Sequence, residues 1–344
     1  MDPAAALARI AFLLEESGAP TYRVRAFRGA LAAVQELDPA ELEARAKSGR
    51  LRELKGVGET TERVIAEALE GRTPAYLDRL ESDATEATAP RTGPGAAIRA
   101  LLKGDCHTHS DWSDGGSSIA DMARTARDLG HDYVALTDHS PRLTVAHGLT
   151  RERLLQQLDV VAELNEELHP FRILTGIEVD INEDGTLDQD ADLLAGLDVV
   201  VASVHSKLRM ESRAMTERMV VAIADPNVDI LGHCTGRLLV GRGRPESTFD
   251  AELVFAACAK FDTAVEINCR PERLDPPKRL LHTAIESGCR VSIDTDAHAP
   301  GQLNWQRYGC ARAEECEVPV ESIVNSWPAD ELLAWTGSHG SAGR

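Results

Sequence analysis

The sequence predicts an α/β fold, a distorted parallel βα barrel of about seven strands preceded by a small all-α domain. Two observations predict it. From residue 103 onward, short apolar β-rich runs alternate with longer helix-like segments, the pattern of βα units on a parallel sheet. Six histidines, two aspartates and one glutamate also stand at or just after the ends of such runs: GDCHTHS, YVALTDHS, ILTGIEVD, VVVASVHS, VDILGHC and VSIDTDAH. Side chains at the carboxyl ends of successive parallel strands converge on one mouth of a barrel, where ligands distant in sequence can share metal ions. Ligands from the first and last strands meet only if the sheet closes. A barrel with one unit missing or distorted therefore fits better than an open sheet, since about seven strands fall short of the regular eight.

Taken in chain order, residues 1–81 read as a bundle of short helices. ALARIAFLLEES, YRVRAFRGALAAVQEL, PAELEARAKSGR and TERVIAEALEG carry apolar residues at three and four residue spacing, punctuated by Gly18, Pro39, Gly49 and Gly71. Between the last two helices lies Leu54-Lys55-Gly56-Val57-Gly58. Two glycines let such a turn approach a phosphate, and the next helix offers it unpaired N–H groups, which is the logic of a helix-hairpin-helix. The same turn could simply join two packed helices. SDATEATAPRTGPGAA, from Ser82 to about Ala97, has the small and polar composition of a linker, so 82–102 is expected to connect the helices to a barrel at 103–344. In the barrel the helical segments are SIADMARTARDLG, RERLLQQLDVVAELNEEL, FDAELVFAACAKF and PPKRLLHTAIESG.

Composition bounds the class. The 344 residues are 43% hydrophobic and 27% charged, enough for a full core. No stretch approaches the roughly 18 apolar residues of a membrane span, and MDPAAALARIAFLLEESG lacks the basic start and cleavage site of a signal peptide, so a soluble cytoplasmic protein is expected. Seven cysteines form no CxxC pair and read as reduced, buried thiols, although Cys106 and Cys234 flank candidate ligands. Residues 1–81 hold 12 Lys or Arg against 14 Asp or Glu, whereas the whole chain carries −19, so nearly all the net negative charge lies beyond them. That acidity argues against tight salt-driven binding of nucleic acid by the whole chain and leaves local binding open.

The spacing in Asp105-Cys106-His107-Thr108-His109 places His107 and His109 on one face of a strand, so both can bind one ion at its mouth. Imidazole with carboxylate suits Zn²⁺, Mn²⁺ or Fe²⁺, and the lack of thiolate clusters disfavours a closed structural zinc site.

In this order, HTHSDWSDG, TDHS, GIEVDI, SVHS, GHCTGRLL, EIN and IDTDAH resemble the PHP (polymerase and histidinol phosphatase) family of metal-dependent phosphoesterases, over roughly residues 103 to 330. The resemblance implies a seven-stranded distorted βα barrel with three divalent metal ions. One ion would take His107, His109, Glu178 and Asp296, with Glu178 bridging to a second held by His205 and His233. The third would be bound by Asp114, His139 and His298, and in some relatives the Asp114 position is histidine. A bridging carboxylate can hold two ions at the roughly 3.5 to 4 Å suited to hydrolysis, with metal-bound hydroxide as nucleophile and no Ser or Cys required. Asp105 and Asp138 would orient ligand imidazoles, or make ordinary strand-end hydrogen bonds. Phosphate also calls for cations. Arg237 in GHCTGRLL and Lys207 after His205 are the leading candidates, with Arg209, Arg242, Arg244 and Arg270 behind them and His147 as a possible substrate contact.

The amino-terminal segments YRVRAFRGALAAV and LKGVGETTERVIAEALEG resemble the helical DNA-binding domain that opens bacterial family-X DNA polymerases, which also end in a PHP domain. Lys55, Gly56, Gly58, Arg25 and Arg28 are the expected DNA contacts, with Arg23, Lys47, Arg50 and Arg52 nearby. A family-X polymerase places its palm between these parts. Here the interval is a linker of about 16 to 20 residues, so templated polymerisation is not expected. The leading reading is a 3′-5′ exonuclease or DNA end-processing phosphodiesterase; the others are a histidinol-phosphate-type phosphatase acting on a phosphorylated small molecule, and a non-catalytic DNA-binding module.

Overall fold

The computed structural model describes residues 1–87 and 93–339, the side chains of 85–87 excepted. The chain divides into two units, Met1–Thr92 and Gly93–Arg344.

The first unit is helical: α1 (Pro3–Glu16), α2 (Thr21–Gln35), α3 (Pro39–Lys47), α4 (Glu59–Leu69) and α5 (Ala75–Ala87). Asp2 and Asp38 start α1 and α3 by accepting the backbone N–H of Ala5 (2.7 Å) and Ala40 (2.8 Å), each followed by Pro at the first helical position. Helix α1 is the hub, burying Ala6, Leu7, Ile10, Ala11 and Leu14 against α2, α4 and α5. Its burial explains why its sequence is apolar on more than one face. Helix α5 continues past the boundary expected at 81. Tyr76, Leu77 and Leu80 anchor it to the core, and Ser82 satisfies its hydroxyl inside the helix by donating to Asp78 O (2.9 Å), so a linker-like composition is carried on as helix. Residues 88–92 of the expected linker lie outside the described residues. Its end belongs to the second unit, where α6 (Ala96–Arg99) buries Ile98 beside Leu102.

The second unit is the barrel. Strands β1 (Gly104–Thr108), β2 (Tyr133–Leu136), β3 (Arg172–Asp180), β4 (Val199–Ser203), β5 (Ile230–Leu231), β6 (Ala264–Asn268) and β7 (Val291–Asp294) pair in sequence order, all parallel. Between and after them run α7 (Ile119–Asp128), α8 (Arg151–Leu168), α9 (Ala191–Leu194), α10 (Ser212–Ile223), α11 (Ala251–Phe261), α12 (Lys278–Glu286), α13 (Gln306–Glu315) and α14 (Ala329–His339).

With seven strands the seam between β7 and β1 has no full ladder. A single parallel bridge, Thr108 to Ala297, closes it at the mouth, where His109 N donates to Ala297 O (2.8 Å). Below, buried side-chain amides replace the missing strand. Asn325 Nδ2 donates to Ile293 O (2.7 Å) and Gly104 O (3.2 Å), and Gln306 Nε2 to the same two carbonyls at 3.0 and 2.9 Å. Backbone groups that an eighth strand would satisfy are therefore paired. Inside, Tyr133, Ala135, Leu174, Val199, Val201, Ile230 and Ala264 fill the floor with Leu332 and Trp335 of α14. The alternate residues Ile177, Val179, Val200, Ala202 and Val265 face the helices.

Candidate metal centre

Strand alternation that puts apolar residues on the floor puts polar ones at the mouth. Glu178 stands near the end of the inward row of β3, two residues before Asp180, and its carboxylate is the centre of the site. Five imidazoles lie within 3.6 Å of it: His107 (3.4 Å), His109 (3.6 Å), His139 (2.8 Å), His205 (3.2 Å) and His233 (2.9 Å). A register shift in β1 between Asp105 and Thr108 lets both His107 and His109 reach this point. After β7 the backbone enters the left-handed region at Asp296 (φ 52°), which brings Asp296 within 3.5 Å of His109 and turns the chain so that His298 follows. Asp114 approaches from a loop closed by Gly115 N donating to Ser110 O (2.9 Å) and Gly116 N to His298 O (2.7 Å); it lies 3.4 Å from His139 and 3.2 Å from His298. A Cβ at Gly115 would sit 2.5 Å from Ser110 O, so the tight loop needs glycine.

All nine expected ligands thus meet. Donor atoms fall into three groups: His109, Asp114, His139 and His298; His107, His109 and Glu178; and His139, Glu178 and His205. His233 joins through Glu178 and Asp296 through His109. This grouping cuts across the three ion sets implied by the resemblance, since His109 and His139 each stand in two groups.

The electrostatics are those of a shared, desolvated charge cluster. Burial opposes ionisation of Glu178, but His205, His107 and His139 outweigh it and hold the carboxyl well below its usual range. Burial likewise opposes protonation of His139, yet Glu178 and Asp114 raise it to about 10. His107 is lifted well above its ordinary value in the same way, by Glu266 and Glu178. His109 goes the other way: burial, then His298 and His139, press it well below. The donor set fits divalent cations. Among the described residues, His107 Nε2, both ring nitrogens of His109, Nδ1 of His139, His205 and His233, and Glu178 Oε2 are buried without a hydrogen-bond partner, and one carboxylate cannot bond five imidazoles. Buried donors left unpaired are costly, and N,O-binding dications such as Zn²⁺, Mn²⁺ or Fe²⁺ use such lone pairs.

Three further groups of expected residues can be placed, some of them away from the roles the sequence suggested. Asp105 and Asp138 touch no imidazole ring. Asp105 is bonded to Thr295 Oγ1 (2.5 Å), and Asp138 accepts from Ser110 Oγ (2.6 Å), Ser113 Oγ (2.5 Å) and Gln157 (2.7 Å), tying down the loop that carries Asp114. The His107 ring is held instead by Glu266, which accepts from His107 Nδ1 (2.6 Å) and His233 N (2.5 Å), while Asp180 places a carboxylate 3.3 Å from His205 Nδ1 as its charge neighbour. Asp180 was legible two residues after Glu178 on the same strand face, whereas Glu266 shows only as a lone acidic residue within AVEIN.

The second group is the phosphate cations. Arg237 is absent from the cavity lining: its guanidinium donates to Arg273 O (2.9 Å) and Leu274 O and pairs with Glu246. Lys207 is exposed and also absent from the lining. His147 is likewise exposed and absent from it, its carbonyl clamped by Arg153. The cations that do line the cavity are Arg270 and Arg273, 3.3 and 3.5 Å from Asp296. The cavity holds about 400 Å³, and Leu143, Leu238 and Val240 form its apolar side.

The third group lies in the helical unit. Arg28 is bidentate to Glu15 at 2.8 and 2.9 Å, with Glu15 only 2% exposed, so it joins α1 to α2. Gly56 packs on Gly29, where a Cβ would lie 2.8 Å from Gly29 O, and Gly58 starts α4 with its N–H on Thr61 Oγ1 (2.9 Å). Lys55 and Arg25 are exposed, with no ion pair among the described residues. All seven cysteines are buried and unpaired.

Comparison with known proteins agrees with this architecture. Residues 105–269 match the PHP domain family. A probable phosphatase of Thermoanaerobacter sp. (strain X514) is 31% identical over 206 residues, covering 56% of this chain and 78% of that protein. The chain belongs to the PHP domain family. Residues 1–74 match a helix-hairpin-helix domain, ahead of the PHP barrel. The DNA polymerase/3′-5′ exonuclease PolX of Bacillus subtilis (strain 168) is 41% identical over 234 residues, 68% of this chain, but the match spans only 41% of that relative's length. Among solved structures, a histidinol phosphate phosphatase of Lactococcus lactis covers 62% of this chain and 92% of its own at 18% identity and a TM-score of 0.44. Among the described residues no helix is long and apolar enough to cross a membrane.

Proposed function

We propose that the chain is a divalent-metal-dependent phosphoesterase acting on DNA, as a 3′-5′ exonuclease or a related end-processing phosphodiesterase. The observation that carries the chemistry is the buried carboxylate of Glu178 ringed by five imidazoles beside two cavity-lining arginines. Divalent ions, when bound by the nine residues, supply polarisation of phosphoryl oxygens and a water of lowered pKa. The chain's own groups do the rest. Arg270 and Arg273 are pre-set by Asp296 and present guanidinium N–H groups to phosphate oxygens. Glu266 fixes the His107 ring and the backbone at His233, so that ligand geometry is set before substrate enters. The apolar side of the cavity keeps water away from the reacting group.

DNA as substrate is supported by the helix-hairpin-helix domain on the same chain, by the exposed, uncommitted Lys55 and Arg25, and by the named exonuclease among the relatives. A second reading is a small-molecule phosphomonoesterase, which the 400 Å³ cavity favours because it accepts a small organic phosphate whole.

A paired assay separates them. With Mn²⁺, the purified chain is expected to shorten labelled DNA from its 3′ end, and Glu178→Ala to lower that rate on the order of a thousandfold. Efficient cleavage of histidinol phosphate with DNA left intact would sink the first reading.

A further inference from the structure

Two segments at the mouth of the cavity expose large aliphatic side chains to water: Val145 is 87% exposed, Leu239 53% and Val240 54%. Both segments are built elements. In the 238–244 hairpin, Leu238 N donates to Arg244 O (3.0 Å) and Arg244 N to Leu238 O (2.9 Å), with Gly241 and Gly243 in the left-handed region at φ 65° and 64°. Leu239 N also donates to Glu272 O (2.7 Å), which fixes the hairpin to the loop carrying Arg270 and Arg273. The 143–147 turn is held by Ala146 N donating to Leu143 O (3.0 Å).

The apolar surface is continuous with the reacting centre. Leu143, Leu238 and Val240 line the same cavity as the imidazoles and the two arginines, so the group esterified to a bound phosphate leaves the cavity along them. A flat ring carried on a phosphate matches this order of chemistry: cations and imidazoles, then an aliphatic surface.

Resting on the phosphodiesterase reading, we propose that the 238–244 hairpin and the 143–147 turn form an apolar lip. It holds the nucleobase of the nucleotide being released. Aliphatic side chains offer no hydrogen bonds to base edges, so the lip senses that a base is present and not which base it is.

The test uses the full-length chain with Mn²⁺ and single-stranded oligonucleotides ending in each of the four nucleotides or in a tetrahydrofuran abasic unit. The expected preference in kcat/KM for a base over the abasic end is about tenfold, the effect of removing roughly 60 Å² of apolar surface from water. The four bases should lie within about threefold of one another. In L239S/V240S the preference should collapse toward one, and V145S should reduce it part-way. The altered side chains are exposed, so an unchanged melting midpoint verifies folding. Equal cutting of base and abasic ends by the unaltered chain refutes the lip while leaving the phosphodiesterase reading intact. A preference that survives L239S/V240S also refutes it. So does a fall in sedimenting mass in that variant with the preference unchanged, which would give the surface to a second copy of the chain. If neither DNA is cut while histidinol phosphate is, the phosphodiesterase reading fails and the lip with it.

Discussion

In the helical unit most charged side chains lie at the surface, some paired with neighbours, Arg45 with Glu41 at 2.7 Å and Lys47 with Glu43 at 3.1 Å, over a core of apolar groups, and the buried Glu15 is fully bonded to Arg28. At the barrel mouth Glu178 and the imidazoles of His107, His109 and His233 are 2% exposed or less, with lone pairs that nothing among the described residues bonds. Exposed pairs of the first kind contribute only about 0.3 to 0.5 kcal/mol each, so that unit is held by its apolar core. Burying charge without full pairing costs stability, and a fold keeps such an arrangement where it binds something. The same residue types therefore mean different things in the two units.

Three measurements sharpen or break this contrast, from the largest effect down. Glu266→Gln keeps the shape but weakens the hold on His107, and metal affinity read by competition with a chelating dye should fall about 10- to 100-fold. An unchanged affinity would mean the imidazoles need no such support. Within the barrel, Arg270→Ala should raise KM about tenfold for DNA by removing a charged contact to phosphate. Arg237→Ala should leave KM alone and lower unfolding stability by about 1 to 3 kcal/mol, because it strands the carbonyls of Arg273 and Leu274. If the two arginines behaved alike, the division between cavity and clamp would be wrong. The smallest effect belongs to the helical unit. Lys55→Glu combined with Arg25→Glu should weaken DNA binding several-fold at moderate salt and reduce the slope of log K against log salt by about two. Arg28→Ala should leave that slope unchanged, since its guanidinium is already spent on Glu15.

Much of the barrel was legible because period-two alternation and strand-end position are local properties. His107 and His109 share a face by spacing alone, and Glu178 ends a β-rich run. Glu266 was harder to see, since one acidic residue inside AVEIN is distinguished from a solvent-facing one only by knowing which face the barrel encloses. Arg237 misled because nearness to His233 in sequence says nothing about the carbonyls of Arg273 and Leu274 that capture it. Helix α5 overran the expected boundary because Leu77 and Leu80 dock it, which composition after Ser82 does not reveal.

By itself, then, the sequence determined the kinds of element, their order, and the donor types delivered to the strand ends, all consequences of local backbone period and side-chain chemistry. Tertiary structure alone decided which donors meet and which cations stay free. Closure of the seam at Thr108 and Ala297 brings the first and last strands together, and Arg237, Arg270 and Arg273 are then claimed by whichever carboxylate or carbonyl the fold sets within reach. Those competitions are settled by distances across the barrel, which no local pattern encodes.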